Sequence, residues 1–379
     1  MLNGPTPRPL LLVICATALR VQDPRSNLPD RWADEARELA VRDVFRAMST
    51  TTLQTLLLLQ RYEWHRGSHV SAWFVAGLAI RLATALQLAR DPTEARGNAG
   101  VELPVPVMET RRRLVWSCFA MDSVPDAGDR PGNPSIEADS IKARLPCDED
   151  SYEQGVDSVQ PHLDDPVSPT DGAPSISAFL IRVVFLRLRM LQFSYPFYPQ
   201  SSAELHAHAP WSADSDFRKW EMQMDEFGAC LSAVFSLERA SRSSDLPFLI
   251  SLFTVHAMYH AAYTDLLRSG THKKPRGLFD AAEPEPRSHF QSCKRGRIEH
   301  ALRMAEVVSK CMCSPCEQHD PFMAICSCLA LRILIVERWC EGQEILDISS
   351  PVVQERLEYC RSCAVKTAHW SRPIRRLVS

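Results

Sequence analysis

The 379-residue chain is 45% hydrophobic and 23% charged, values of an ordinary globular protein and far from the composition that leaves chains disordered. Its formal net charge of -3 argues against a protein whose main task is to hold a phosphate backbone, which needs a clustered positive surface. In chain order, helical periodicity predicts helices at Arg31 to Met48, Thr51 to His65, Ser71 to Ala89, Met108 to Val124, Ile176 to Phe193 and Asp214 to Arg239. It continues at Phe248 to Arg268, Gln291 to Cys311, Phe322 to Cys340 and Val352 to Trp370. No run alternates well enough to predict a strand, so the expected class is all-α, with about ten or more helices packed ridge into groove. Pro, Gly and Ser punctuate the chain at Asp91 to Val107, Pro125 to Pro174, Ser194 to Ser212 and Gly270 to Ser288.

Near the N-terminus, Arg8 precedes the apolar stretch Leu10 to Cys15, and Ala16-Thr17-Ala18 mimics a signal-peptidase site. A single basic residue between Pro7 and Pro9 makes a poor leader, and the thirteen cysteines lack the compact spacing of a disulfide framework. A reducing compartment fits better. No run approaches the roughly 18 apolar residues of a membrane-spanning helix, so no membrane partner is expected.

Two helices carry a sharper expectation. Ser71 to Ala89 is apolar nearly all round, which predicts a helix surrounded by others, with Arg81 in its middle. On Met108 to Val124, Met108, Val115, Cys118 and Phe119 share one stripe with Asp122. A buried guanidinium and a buried carboxylate are each costly alone, so Arg81 and Asp122 are expected to meet as a structural salt bridge.

The segment TTLQTLLLLQRYEWHRGSHVSAWFVAGLAIRLATALQLARDP, Thr51 to Pro92, resembles a helix pair ending in A-I-R-x-A…L-G-L-H-R-D. ETRRRLVWSCFAMD, with Glu109, Arg112, Arg113 and Trp116, is similar to an E-x-R-R-R-x-W-W-x-x-x-x-x-D helix. Arg130-Pro131 with Ile136 resembles a G-R-P-x-x-I turn, and IKARLPCDE, holding Leu145 and Pro146, resembles D-I-x-x-x-L-P-C-D-E. Together these resemble the middle homology region of fungal zinc-cluster transcription factors, best over residues 9–150, where Pro9 to Arg20 is similar to its first helix. Two halves of that region are expected, 1–175 and 176–379. The chain departs from the family at Gln87 and Ala89, where Gly and His are usual, at Ser123 in place of Arg, and at Pro125.

The resemblance implies a regulator of transcription in a fungal nucleus, acting on metabolic or specialised-metabolite genes through inhibition, inducer response or dimer contacts. It implies a non-enzyme, with protein partners or a homodimer and a small-molecule effector. The family's DNA reader holds two zinc ions with six cysteines, and no such run occurs here. DNA is then reached only through an absent or separate module, and the expected cofactor is none, zinc entering only with an upstream module. A DNA-independent co-regulator of the same fold and a helical small-molecule enzyme near His256 to Asp265 are the alternatives.

Other constellations have weaker chemistry. Cys311, Cys313, Cys316, Cys326 and Cys328, with His319, have spacings that suit zinc or a switchable disulfide, though Cys326 and Cys328 cannot share a helical face and apolar packing is the expectation. Cys313/Cys316 and Cys360/Cys363 have the C-x2-C pair spacing, but both lie late in the chain and neither opens a six-cysteine, lysine-rich run. His256 and His260 are one turn apart but lack a glutamate after the first, and their Met, Tyr and Phe neighbours suit a core. His65 and His69 flank Gly67, which suggests a turn, and His206 and His208 fall in a loop. Lys273-Lys274-Pro275-Arg276 and Lys294-Arg295-Gly296-Arg297 are expected to be solvated charge in loop-rich sequence, or an import signal. No phosphate loop, nucleophile elbow or dinucleotide fingerprint is present.

Overall fold

The computed structural model describes residues 6–91, 103–123, 134–166, 175–194, 210–240, 243–271, 284–314, 320–336, 339–340, 343–344, 347 and 349–379. The fold is all-α. The chain divides into two compact units, the first formed by residues 1–125, 132–165 and 366–379 and the second by 126–131 and 166–365.

The first unit contains α1 (Arg8–Gln22), α2 (Leu28–Val44), α3 (Thr50–His65), α4 (His69–Ala85), α5 (Val105–Ser123), a short 3-10 turn (Ala138–Ser140) and α6 (Glu149–Gln154). Their starts follow local chemistry: Pro9 and Pro29 occupy first-turn positions where no backbone donor is needed. Ser49 and Asp148 accept the Thr52 and Ser151 amides at 3.0 and 2.8 Å as N-caps. Helix α1 packs on α2, α3 on α4, and α5 on both α3 and α4. The apolar run at Leu10 to Cys15 lies within α1, where Val13 and Ala16 are fully buried.

Helices α3, α4 and α6 end in the same hydrogen-bonded turn, in which an amide just past the helix returns to a carbonyl five residues earlier, as Ser68 does to Glu63, Leu88 to Ala83 and Val156 to Ser151. That turn needs one residue with positive φ. Gly67 and Gly155 supply it at +81° and +66°, whereas α4 places Gln87 there at +54°. The departure from the family's glycine thus falls on a position whose backbone geometry asks for one.

In the second unit lie α7 (Ile176–Ser194), α8 (Asp216–Val234), α9 (Leu237–Ala240), α10 (Leu246–Thr271), α11 (Pro284–Cys313) and α12 (Phe322–Val336). A two-residue antiparallel pair follows, β1 (Trp339–Cys340) and β2 (Gln343–Glu344), too short to alter the fold class. Helix α13 (Pro351–Ala368) leads back into the first unit, which α14 (Arg372–Val378) completes. Helix α10 is the axis of the second unit, packing against α7, α8, α11 and α12. Gly228 on α8 lets α10 approach: a Cβ there would stand 2.1 Å from the Tyr259 hydroxyl.

All ten helices expected from periodicity are present, with two differences of kind. Asp214 to Arg239 is broken after Val234, and Phe322 to Cys340 stops at Val336 before β1. The basic run Lys294 to Arg297 is not a loop but part of α11, and Arg297 is buried.

The expected surroundings of α4 need correction. Val70, Trp73 and Phe74 are 72%, 72% and 61% exposed, so this apolar helix is not enclosed, and Arg81 lies on its exposed side. An exposed guanidinium needs no buried partner. Among the described residues Arg81 and Asp122 form no ion pair; the Asp122 carboxylate instead accepts the Ser135 and Ile136 backbone amides, the latter at 3.1 Å. Burial raises the Asp122 carboxyl above its usual range, opposed by those two amides.

Candidate functional site

The family-like residues converge on the contact between α5 and the extended segment 141–148. The E-x-x-R-R spacing places Glu109, Arg112 and Arg113 within one turn of α5, close enough for their charges to meet. Glu109, 1% exposed, accepts the Arg113 Nε–H at 3.0 Å and the Cys147 backbone amide at 2.9 Å through the same oxygen. Arg113 also donates to Glu149 at 2.7 Å and to the Cys147 carbonyl at 3.2 Å, while its guanidinium lies 4.2 Å from the Tyr152 ring centre.

Arg112 stands 3.7 Å from the other Glu109 oxygen, and its guanidinium lies 3.4 Å from Asp91 and 3.9 Å from Asp157. Asp91, itself 1% exposed, accepts the Arg144 amide at 3.0 Å. Trp116 is fully buried and donates its indole N–H to the Arg144 carbonyl at 2.8 Å. The Ala89 carbonyl accepts the Lys142 and Ala143 amides, and Leu145, fully buried, donates to the Pro161 carbonyl at 3.0 Å. Each carboxylate therefore neutralises an arginine and satisfies a backbone donor of a segment that has no strand partner. The arrangement clamps an irregular segment to a helix, and its acids and bases are already paired with one another. Arg130 and Pro131 lie outside the described residues. Asp91 was legible only as part of the ARDP string, and Asp157 carried no signal at all.

A second constellation surrounds α10, where a cavity of about 610 Å³ is lined by His256, Tyr259, His260, His300, Arg303 and Lys310 among others. His256 and His260 do not act together: Nε2 of His256 contacts the Phe235 carbonyl at 2.8 Å, while Nδ1 of His260 faces Nδ1 of His300 at 3.1 Å. Tyr263 stacks on His300 at 3.9 Å and donates its hydroxyl to Asp225 at 2.7 Å. Burial lowers the pKa of His256 and His260 and brings His300 down to about 4. These imidazoles are neutral at physiological pH. His300 was missed because its partner lies on another helix, forty residues away along the chain.

Deeper in the same unit, Asp265 stands 3.5 Å from Arg187 and 3.7 Å from Arg268, all three largely buried. Burial raises the Asp265 carboxyl above its usual range while the arginines pull it down.

Among the described residues the thiols do not converge as a ligand set. Cys311 is buried and Cys313 exposed, and Cys316 and His319 lie outside the described residues. Cys326 is buried near Cys360 and Cys363, and burial pushes the Cys326 and Cys360 thiols well above their usual range, the state of packed rather than reactive cysteine. Among the described residues no group of three or more His, Cys, Asp or Glu side chains could hold a metal ion. His65 contacts Ser371 at 3.0 Å, and Gly67 ends α3 before His69. His206, His208 and Lys273 to Arg276 lie outside the described residues. Among the described residues, no helix is long and apolar enough to cross a membrane.

Residues 3–245 match the family model described as the fungal specific transcription factor domain. A Zn(2)-C6 fungal-type transcription factor of Fusarium oxysporum f. sp. lycopersici, FTF1c, is 26% identical over 352 residues, 86% of this chain and 36% of that protein. FTF2 of the same organism is 33% identical over 156 residues, 38% of this chain and 14% of that protein. An uncharacterized transcriptional regulatory protein of Schizosaccharomyces pombe is 25% identical over 239 residues, 57% of this chain and 24% of that protein. The chain spans little more than a third of the length of these relatives at most. No solved structure matches it. The zinc cluster for which the Fusarium proteins are named is not evident in this sequence. With the family model covering well over half of its length and the signature residues forming one network, the chain belongs to the fungal specific transcription factor domain family.

Proposed function

We propose that the chain is the regulatory region of a nuclear transcription regulator that controls metabolic or specialised-metabolite genes and makes no base-specific DNA contact of its own. The observation that carries this is the family match over residues 3–245, whose signature positions build a structural clamp rather than a reactive centre. DNA is reached through a module elsewhere in a longer protein or on a partner. A small-molecule effector would find space in the cavity beside His260 and His300, whose volume lies in the range of ligand pockets. An enzyme reading has little support: His256 is engaged by a carbonyl and Asp265 by arginines, so neither is poised as a base.

The test is to tether the chain to a heterologous DNA-binding domain upstream of a reporter, and separately to assay the purified chain on DNA. Regulation supported by the tethered chain, with no sequence-selective binding by the isolated one, is the expected result. A silent reporter, or tight sequence-selective and salt-dependent binding by the isolated chain, would overturn it.

A further inference from the structure

The exposed side of α4 has the pattern of a contact surface. Val70, Trp73, Phe74, Gly77, Arg81 and Thr84 are all exposed and recur at three- and four-residue steps, which places them on one stripe about 100° wide. Val70, Trp73 and Phe74 are a large apolar surface to leave in water on a single helix. The two rings already brace each other edge to face, with centres 5.1 Å apart. At the middle of the stripe, Gly77 has open space where a Cβ would stand, so another backbone can approach there closely.

The order of residues selects the occupant. Four residues before Gly77 stands Trp73, and four residues after it stands Arg81. A two-fold antiparallel crossing of two α4 helices at Gly77 sets Trp73 of each copy opposite Arg81 of the other, and Val70 opposite Thr84. Guanidinium on indole is an attractive pairing, made twice by the symmetry. A parallel crossing would oppose arginine to arginine. An unrelated apolar helix would leave Arg81 facing carbon.

We propose that α4 is a homodimer surface, closed by a second copy of this chain about a two-fold axis at Gly77. It names the partner that the regulatory reading leaves open, and rests on that reading for its biological role. Two crossed helices bury less than the roughly 1,200 Å² of a stable interface, so the dimer is a transient one with a Kd of roughly micromolar order.

The test is sedimentation of the full 379-residue chain across a concentration series, with circular dichroism and Tm as controls on folding. The wild type should pass reversibly from monomer to dimer. Gly77→Leu should raise the dimer Kd by about thirtyfold, the size of one interfacial hot spot, with Tm unchanged or raised because the side chain points into solvent and leucine favours a helix over glycine. Register is read from two further variants. In the antiparallel pair Trp73→Lys brings like charges together, whereas Trp73→Glu faces Arg81 with an opposite charge, so the lysine variant should associate several times more weakly. A monomer at all concentrations, or a dimer indifferent to Gly77→Leu, would overturn the proposal. Equal loss from the lysine and glutamate variants would overturn the antiparallel pairing. A monomeric chain that still regulates the tethered reporter would count against this surface alone, and a dimer that leaves it silent against the regulatory reading alone.

Discussion

Both units bury arginine against carboxylate, but they do so on different terms. In the first, Glu109 and Asp91 each hold an arginine and also accept a backbone amide, from Cys147 and Arg144. In the second, Asp265 meets Arg187 and Arg268 at 3.5 and 3.7 Å, and its Oδ2 lacks a hydrogen bond. A carboxylate that serves the backbone cannot be replaced by carbon without orphaning a donor. One that serves only arginines can, if the arginine goes with it.

The largest effects should come from breaking either cluster on one side. Asp265→Ala should cost about 3 to 5 kcal/mol in denaturant unfolding, since it leaves the buried Arg187 guanidinium uncompensated, and Glu109→Ala about 1 to 3 kcal/mol, since it orphans the Cys147 amide while Arg113 keeps Glu149. Removing both partners should separate the units. Arg187→Met with Asp265→Leu should recover most of the loss, whereas Arg112→Met with Asp91→Leu should remain about 1 to 3 kcal/mol below wild type because the Arg144 amide keeps no acceptor. Equal recovery in both would erase the distinction drawn here.

Acid should act through the second unit. His256, His260 and His300 have folded pKa values depressed below that of an unfolded histidine, so the unfolded chain binds their protons first. Their contribution is complete above about pH 6.5 and is lost as pH falls below it, for His300 down to about 4, at up to roughly 1.4 kcal/mol per pH unit for each. Asp265, raised in the folded state, acts in the opposite sense and offsets part of the loss. His300→Phe should flatten the profile; a wild-type stability independent of pH between 6.5 and 5 would contradict these assignments.

Smaller effects test α4. Gln87→Gly should raise stability by about 1 kcal/mol, as relief of the positive φ outweighs the added chain entropy. Arg81→Ala should change monomer stability by less than about 0.5 kcal/mol, because the side chain is exposed.

The helices were legible because the 3.6-residue period is local, and ten of them fall where it places them. The misplacement of Arg81 shows where that reasoning stops. Composition reveals that α4 is apolar all round but not that the side bearing Val70, Trp73 and Phe74 faces solvent, since exposure depends on what other elements cover. Asp122 fails for a related reason: its acceptors' partners are backbone amides at Ser135 and Ile136, which carry no side-chain signal. The Glu109 clamp was visible as a motif, yet its role was not, because the Cys147 amide is a backbone group thirty-eight residues distant. Gln87 is the converse case, a departure noted in the sequence whose meaning came from one dihedral angle.

Whether the signature residues clamp segment 141–148 to α5 is read from amide hydrogen exchange across that segment in wild type and Glu109→Gln. The amide variant keeps the shape but loses the charge that binds Arg113 and the Cys147 N–H. In the variant the Cys147 amide and its neighbours should lose protection while amides of α10 keep theirs. Unchanged protection at Cys147 would contradict the clamp.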